Sequence, residues 1–267
     1  MRIIKKSKEI NSVFNSVKKT GFVPTLGSLH KGHEYLIKKS IKQNHVTFVS
    51  IFLNPKQFNS KKDLEKYPKK LSEDIKICKN NKVDYLFIPS FKEVYSWRTK
   101  KRRYPKINCI MEDKYRKGHF IGVLKVIEKL IDIIPANRIY LGEKDYQQLK
   151  VIKDYFDMNK IKTQIIKCKT IRNDNGLAIS SRNKLLNNNN LKKAADIINF
   201  IKKIKYENYS LNYKKNIIQK YFKKNKISFD FIKFINLKKF KVSKKQSSNM
   251  RIFIAFYINK VRLIDNI

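Results

Sequence analysis

The stretch that decides the fold of this chain is Gly21-Phe-Val-Pro-Thr-Leu-Gly-Ser-Leu-His-Lys-Gly-His33. It begins as a short apolar run, typical of a strand, and passes through a glycine-containing turn into a predicted helix at Glu34–Lys42. A strand-to-helix turn directs backbone N–H groups and the positive end of a helix towards a bound anion. Gly27 and Gly32 allow a ligand to approach the backbone closely. The stretch therefore predicts an α/β domain with an anion site at its first turn.

Outward from this turn, apolar β-branched and aromatic runs alternate with amphipathic helical stretches up to about residue 170. This alternation indicates βαβ units around a parallel sheet, and we predict a Rossmann-like domain over residues 1–184. The clearest helix starts near His119, carries one apolar stripe at helical spacing and is stopped by Pro135. The candidate strands are Gly21–Thr25, Val46–Phe52, Tyr85–Ile88, Arg138–Leu141 and Thr163–Cys168.

The character of the chain changes after Arg182, where four asparagines, Asn187 to Asn190, precede two helical stretches. Residues 185–267 are predicted to form a smaller α+β C-terminal domain, which we expect to act as a lid. Its predicted helices are Leu191–Ile204 and Leu211–Lys224, and its predicted strands are Phe229–Ile235, Arg251–Tyr257 and Val261–Ile264. Lys238–Asn249 is interpreted as a polar, mobile connection.

The net charge of +41 raises the question of a nucleic-acid partner, because phosphate attraction follows the summed basic charge. The lysines are spread over the whole length, which indicates a general composition bias rather than one basic stripe. The densest basic cluster, Lys100–Arg103, is interpreted as a solvated loop. We therefore expect no specific nucleic-acid partner, although non-specific binding to polyanions stays open.

Hydrophobic residues make up 42% of the 267 residues, enough for a globular core. No stretch approaches the roughly 20 apolar residues that cross a bilayer, and the start MRIIKKSKEI carries charges where a signal peptide needs apolar residues. We expect a cytoplasmic protein without a membrane partner. The cysteines Cys78, Cys109 and Cys168 are far apart, which is typical of reduced thiols.

Two histidines, His30 and His33, flank the first turn. Imidazoles donate hydrogen bonds to phosphate oxygens while negative charge builds up during phosphoryl transfer. A zinc pair fits less well, because zinc needs three or four ligands and the remaining histidines are His45 and His119. Two incidental surface histidines are the other alternative, and nucleotide handling is the favoured interpretation.

The His-x-Gly-His turn resembles the signature of the nucleotidyltransferase superfamily, which implies chemistry at the α-phosphate of ATP. A second signature of that superfamily, a flexible loop late in the nucleotide domain, has a candidate in Ala178-Ile-Ser-Ser-Arg-Asn183. Hydroxyl groups of Ser180 and Ser181 and the guanidinium of Arg182 suit the β- and γ-phosphates. An ordinary serine-rich turn is the alternative.

Three further segments narrow the choice of family: Val49–Phe58, Arg116–Val123 and Gly142–Leu149. Together with Pro24–His33 and Arg172–Asn183, and in this order and spacing, they resemble the pantothenate synthetase family. The match resumes weakly at Arg262–Asn266. The resemblance implies an ATP-dependent ligase that joins pantoate to β-alanine through a pantoyl-adenylate and releases pyrophosphate and then AMP. It also implies a homodimer formed through the first domain.

The resemblance further implies which residues bind ATP and carry the chemistry. His33, His30 and Lys144 are the implied catalytic residues, which offset negative charge on the phosphates. The implied nucleotide-binding residues are Leu26, Gly27, Ser28, Leu29, His30, Lys31, Gly32, His33, Gly142, Glu143, Lys144, Asp145, Ile171, Ile179, Ser180, Ser181 and Arg182.

Gln57 and Gln148 carry neutral amides suited to the carboxylate and hydroxyls of pantoate, and Asn54 could assist them. Arg116 and His119 are implied on the pantoate side of the pocket, with a structural role as the alternative. Asp74 is implied to hold Mg²⁺ through water, with a helix-surface carboxylate as the alternative.

Some positions depart from the family pattern. Lys56 stands in place of a threonine, and Asp113 and Lys117 stand where a glycine and a proline are expected, near the implied pantoate pocket. Two other functions stay open: an adenylyltransferase for a phosphorylated small molecule, and a basic RNA-binding protein.

Overall fold

The computed structural model describes residues 1–14, 19–107 and 110–267, so Cys109 lies outside the described residues. The chain divides into two compact units, Met1–Ile171 and Arg172–Ile267. The division falls earlier than the predicted boundary after residue 184. Arg172 explains the difference, because its guanidinium binds both carboxylate oxygens of Asp265, at 2.6 and 3.0 Å. Leu177 and Leu186 lie in the core of the second unit, so this segment folds with it.

The first unit contains a six-stranded parallel sheet of strand order β1-β4-β3-β2-β5-β6. The predicted parallel sheet is confirmed, with ends within a residue or two of those expected. β1 was not predicted, because its short charged run has no strand periodicity. The strands are β1 (Arg2–Ile4), β2 (Thr20–Thr25), β3 (Val46–Ile51), β4 (Tyr85–Phe87), β5 (Arg138–Gly142) and β6 (Gln164–Cys168).

Both faces of the central strands β2 and β3 are buried, which is why their apolar runs do not alternate with exposed residues. Phe22 and Phe48 point to one core, and Val23 and Val49 point to the other. The helices of this unit are α1 (Lys8–Phe14), α2 (Lys31–Gln43), α3 (Lys61–Lys66), α4 (Leu71–Asn80), α5 (Phe91–Ser96), α6 (Glu112–Tyr115), α7 (His119–Ile133) and α8 (Tyr146–Met158).

The second unit packs two helices with an antiparallel sheet of order β10-β9-β7-β8, as expected for a small α+β domain. The Lys238–Asn249 connection was expected to lack regular structure, but it contains β8, which pairs with the end of β7. The elements are α9 (Asn188–Tyr206), α10 (Leu211–Lys224), β7 (Phe229–Asn236), β8 (Lys241–Val242), β9 (Met250–Ile258) and β10 (Val261–Asn266).

The interpretation of Lys100–Arg103 as a solvated loop is wrong for Arg102. Its side chain is only 11% exposed and binds both oxygens of Asp132, at 2.8 and 2.5 Å. Glu128 lies beside this pair and accepts hydrogen bonds from the hydroxyls of Tyr104 and Tyr155. Arg102 is therefore fastened to α7, whereas Lys100, Lys101 and Arg103 are exposed.

The thiols of Cys78 and Cys168 are free and buried. Burial raises the pKa of Cys78 to about 12 and that of Cys168 to about 11, so both stay protonated and unreactive. Across the part of the chain that the structure describes, no helix is both long and apolar enough to span a membrane.

Candidate active site

The site lies where the strand order of the parallel sheet reverses. β2 is followed in sequence by β3 on one side, whereas its other neighbour is β5. Ligands of open α/β sheets bind at such a point, beyond the carboxyl ends of the strands. The turn at residues 26–33 follows β2, and the segment at residues 142–145 follows β5. The two segments predicted to bind the nucleotide therefore leave adjacent strands at the same edge of the sheet.

The turn after β2 has an unusual backbone that an acidic side chain holds in place. Gly27 and Ser28 both have positive φ, +86° and +54°, and Ser28 and Leu29 are buried. The carboxylate of Asp74, from α4, accepts the backbone N–H of Ser28 at 2.8 Å and that of Leu29 at 2.6 Å. A Cβ at Gly27 would lie 3.0 Å from Asp74 Oδ2, so the carboxylate would have to shift, and a side chain would also be strained at this positive φ.

These contacts give Asp74 a structural role. Its side chain is buried rather than on a helix surface, and both of its oxygens accept backbone hydrogen bonds. That Asp74 also helps to hold Mg²⁺ through water stays a prediction. Within residues 1–14, 19–107 and 110–267 no group of three or more His, Cys, Asp and Glu side chains could hold a metal ion. The residues present therefore do not fit a protein cage for Mg²⁺.

The two imidazoles lie together at the amino end of α2. His30 caps this helix, and its Nδ1 accepts the backbone N–H of Gly32 at 3.1 Å. Because that nitrogen accepts, a neutral His30 carries its proton on Nε2. The rings of His30 and His33 are 4.0 Å apart, centroid to centroid. The predicted imidazole pair is thus a single cluster at the positive end of a helix.

Lys144 and Asp145 lie in a short 3-10 turn after β5. The ammonium of Lys144 is 3.3 Å from Asp145 Oδ1, and the Lys144 side chain is 18% exposed. Burial favours the neutral form of Asp145, but the charges of Lys144 and Arg116 outweigh it and hold the pKa of this carboxyl below its usual range. Lys144 therefore lies beside a permanent negative charge that orders its side chain.

Gln57 lies in a 3-10 turn, Pro55–Gln57, that follows β3. Asn54 caps this turn and is fully buried. Its amide Nδ2 donates to Gln57 Oε1 and to the carbonyl of Gly122, both at 3.1 Å. Asn54 thus supports Gln57 from within the fold, and its assistance in substrate binding stays a prediction.

Arg116 and His119 hold the backbone of the same turn. His119 Nδ1 lies 2.7 Å from the carbonyl oxygen of Gln57, which can only accept, so Nδ1 carries the proton. The other ring nitrogen faces Arg116 Nη1 at 3.1 Å. Burial, followed by the Arg116 charge, lowers the pKa of His119 to about 4, so the ring is neutral. With both ring nitrogens engaged, His119 braces the turn, which favours the structural alternative, and contact of Arg116 and His119 with pantoate stays a prediction.

Gln147 is a residue that the sequence interpretation missed. Its Oε1 accepts the backbone N–H of Glu112 at 3.0 Å and its Nε2 donates to Asp113 at 2.7 Å, so it links α8 to α6. The neighbouring Gln148 is half-buried, and the described residues offer its amide no hydrogen-bond partner. In the sequence the two adjacent glutamines look alike. Only their directions on α8 distinguish Gln147, which links two helices, from Gln148, which is available to a ligand.

The predicted phosphate loop belongs to the second unit. Ser180 caps a short 3-10 turn, where its hydroxyl accepts the N–H of Arg182 at 3.3 Å and its own N–H donates to Asn183 Oδ1 at 2.5 Å. Ser181 is buried, whereas Ile179 and Arg182 are half-buried. The binding of ATP phosphates by this loop stays a prediction.

The remaining predicted ATP contacts differ in their exposure. Leu26 and Gly32 are half-buried beside the imidazoles, and Lys31 is exposed. Glu143 and Ile171 are also half-buried. Of the positions that depart from the family pattern, Lys56 places its ammonium 3.9 Å from the ring centroid of Tyr95, and Asp113 is buried against Gln147.

Comparison with known proteins identifies the family. A family model described as Pantoate-beta-alanine ligase matches residues 2–267. The chain belongs to the pantoate–β-alanine ligase family. A curated pantothenate synthetase of Francisella tularensis subsp. novicida is 42% identical over 264 residues, covering 97% of this chain and 94% of that protein.

Two solved structures of this ligase family share the fold. The enzyme of Thermus thermophilus superposes with a TM-score of 0.91 at 28% identity, covering 100% of this chain and 99% of the other. The ligase of Francisella tularensis, complexed with beta-gamma ATP and β-alanine, gives a TM-score of 0.85 at 42% identity, covering 100% and 97%. The predicted family and fold class are therefore confirmed.

Proposed function

We propose that this ligase activates pantoate as an acyl-adenylate at the turn after β2 and then transfers the pantoyl group to β-alanine. Membership of the family establishes the overall reaction, the ATP-dependent condensation of pantoate with β-alanine. The relative complexed with beta-gamma ATP and β-alanine supports both substrates for this chain. The adenylate step and the role of each residue are the proposed part.

One observation carries this proposal: the imidazole pair and Lys144 leave adjacent strands at the reversal of strand order. A triphosphate bound at that edge meets the amino end of α2, two imidazoles and an ammonium. Gln57 follows β3 and Gln148 begins α8, so the two predicted pantoate ligands leave the same edge of the sheet. This edge thus carries donors for phosphates and, beside them, amides for an unphosphorylated acid.

In the first half-reaction, a carboxylate oxygen of pantoate attacks the α-phosphorus of ATP, and the bond to the β-phosphate oxygen breaks in line with the attack. Pyrophosphate leaves with the electron pair of that bond. His30, His33 and Lys144 offset the negative charge that grows on the phosphate oxygens. We expect these donors to be in place before the substrate arrives, because Asp74 fixes the backbone just before His30, His30 caps α2 and Asp145 pairs with Lys144.

In the second half-reaction, the amine of β-alanine attacks the carbonyl carbon of the adenylate. The amide bond forms, AMP leaves with the electron pair of the acyl–oxygen bond, and the amine loses a proton. The mixed anhydride hydrolyses if water reaches it, so the site must exclude water during this step. We assign this role to the second unit as a lid, and we expect ATP to order residues 179–182.

We further propose that Mg²⁺ arrives on the triphosphate, and that any contribution of Asp74 is made through water, because both of its oxygens already accept backbone hydrogen bonds. Magnesium commonly keeps several waters and binds through substrate phosphates rather than through a dedicated protein cage. The family resemblance also supports a homodimer formed through the first unit and a cytoplasmic location.

The test is pantoate-dependent exchange of labelled pyrophosphate into ATP, which reports the first half-reaction alone. His33→Ala and Lys144→Ala should each reduce exchange by about 10²-fold or more, the scale for the loss of a transition-state donor. The exposed His45 and Lys153 supply the controls His45→Ala and Lys153→Ala, which should keep near-normal exchange. Near-normal exchange in the first two variants would refute the assignment. Exchange that needs a phosphorylated acceptor instead of pantoate would indicate an adenylyltransferase.

A further inference from the structure

A chain of hydrogen bonds leads from Tyr95 through Asn54 to Gln57. The hydroxyl of Tyr95, on α5, lies 2.8 Å from Asn54 Oδ1, and the backbone N–H of Lys56 donates to the same oxygen at 3.2 Å. On its other side, Asn54 Nδ2 donates to the carbonyl of Gly122 and to Gln57 Oε1. The fully buried amide of Asn54 therefore has two partners on its oxygen and two on its nitrogen.

Backbone groups fix which way this amide points. A backbone N–H can only donate and a backbone carbonyl can only accept. A flipped Asn54 would place its NH₂ against the N–H of Lys56 and its oxygen against the carbonyl of Gly122, which loses both bonds in a buried place. The orientation of Asn54 is therefore determined by chemistry. It follows that Tyr95 donates to Asn54 and that Gln57 must turn its oxygen towards Asn54.

The turn packs directly against the backbone of helix α7. A Cβ at Gly122 would lie 2.2 Å from the carbonyl oxygen of Lys56, so helix α7 contacts the turn backbone to backbone. His119 donates to the carbonyl of Gln57 on the same side. Gln57 is thus held through its backbone by α7 and through its side-chain oxygen by Asn54.

We propose that Asn54 and Tyr95 are positioning residues that set the polarity of Gln57, so that its Nε2 group alone faces the substrate. Gln57 is 8% exposed, and the described part of the chain offers that NH₂ group no acceptor. Gln57 then recognises pantoate as a donor only, to a carboxylate or hydroxyl oxygen. This inference rests on the proposed pantoate role of Gln57, and Gln148 is left to accept from the hydroxyls.

The discriminating variant is Gln57→Glu, compared with Gln57→Ala. Glutamate keeps an oxygen for Asn54 but replaces the outward NH₂ by a negatively charged oxygen. We expect Gln57→Glu to raise the pantoate KM at least as much as Gln57→Ala does, by about 10- to 100-fold, the scale of one hydrogen bond to a charged group. The KM for ATP should change by less than about twofold, because Gln57 is assigned to pantoate alone. A milder effect of Gln57→Glu than of Gln57→Ala would overturn the proposal.

The second variant is Asn54→Asp, which replaces the Nδ2 group that donates to Gln57 by an oxygen. Two oxygens would then face each other, so Gln57 should rotate its amide and turn its NH₂ group towards the carboxylate at position 54. We expect a similar rise in the pantoate KM, and no further rise when Asn54→Asp is combined with Gln57→Ala. Tyr95→Phe should give a smaller rise that also disappears in the Gln57→Ala background. If Asn54→Asp and Tyr95→Phe raise the pantoate KM by the same factor in the Gln57→Ala background as in the parent chain, the positioning role is overturned.

Two controls distinguish a variant that does not fold, an incorrect pantoate site and an incorrect polarity of Gln57. Thermal unfolding of each variant identifies any that does not fold, and the Gln57→Glu comparison still decides the proposal if Asn54→Asp is one of them. If Gln57→Ala leaves the pantoate KM unchanged, the proposed pantoate site is wrong and this inference falls with it. If only the Glu and Ala comparison fails, the pantoate site stands and the polarity is wrong.

Discussion

Replacing Asp74 by alanine should disable the nucleotide turn without touching a nucleotide ligand. Asp74 is 2% exposed and accepts two short hydrogen bonds from the backbone of Ser28 and Leu29. Bonds to a charged group contribute about 1.5–3 kcal/mol each, so the variant loses about 3–6 kcal/mol if the turn does not relax. Relaxation is favoured, because Ser28 lies in the left-handed region, which costs about 1–2 kcal/mol. The turn should therefore leave the shape that the triphosphate requires.

We expect Asp74→Ala to reduce kcat/KM for ATP by at least about 10²-fold, the equivalent of about 3 kcal/mol. The free energy of unfolding should fall as well, measured by urea titration followed by circular dichroism. Asp74→Asn keeps the shape of the side chain but turns its NH₂ group towards a backbone N–H. Its free energy of unfolding should therefore fall by at least half as much as that of Asp74→Ala. Glu73 is the matched control, since it is half-exposed and pairs with Lys70 at the surface. Glu73→Ala should change stability by less than about 0.5 kcal/mol.

A magnesium titration tests the reasoning directly. If Asp74 held the metal, extra Mg²⁺ would restore the activity of Asp74→Ala, and its stability without ATP would equal that of the parent chain. That pair of results would refute the turn-holding role and reinstate Asp74 as a metal ligand. A loss of activity that Mg²⁺ does not restore, together with lower stability, is the result expected from the contacts.

Two further predictions concern the parts of the first unit that support the site. Because burial and the Arg116 charge lower the pKa of His119 from 6.5 to about 4, the unfolded chain binds its proton at a higher pH than the folded chain does. The free energy of unfolding should therefore be highest above pH 6.5 and fall by about 2 kcal/mol by pH 5. Urea titrations above pH 6.5 and at pH 5 measure this fall, and His119→Asn should abolish it. Arg102→Met should destabilise the fold by about 3–5 kcal/mol, because it leaves Asp132 and Glu128 as uncompensated buried carboxylates. The exposed neighbour gives the control Arg103→Met, and equal melting temperatures for the two variants would contradict this account.

Much of the fold was predictable because the central strands are buried on both faces. Continuous apolar runs such as Val46–Ile51 are then required whatever packs against them, and their order in the chain already indicates βαβ units. The edge strand β1 was missed, since it makes its hydrogen bonds to one neighbour only and carries charges at its start. The compact units divide at residue 171 rather than 184, because an ion pair between Arg172 and Asp265 joins residues 93 positions apart.

The site was predictable in its residue types but not in the roles of its supporting residues. The imidazole pair and the Lys144 segment each lie within a few consecutive residues, so a local motif is enough to find them. Asp74 looked like a surface carboxylate or a metal ligand, because its partners are 46 and 45 residues away. Asn54 resembled a substrate ligand as much as Gln148 does, and nothing in the sequence distinguished Gln147 from its neighbour.

The sequence by itself determined the family, the alternation of strands and helices, and the groups that can handle a triphosphate. The tertiary structure decided which polar side chains face inwards and hold a turn, and which keep an amide for a ligand. The physical reason is that a buried polar group must have a hydrogen-bond partner, and that partner is chosen by packing in space rather than by neighbourhood in sequence.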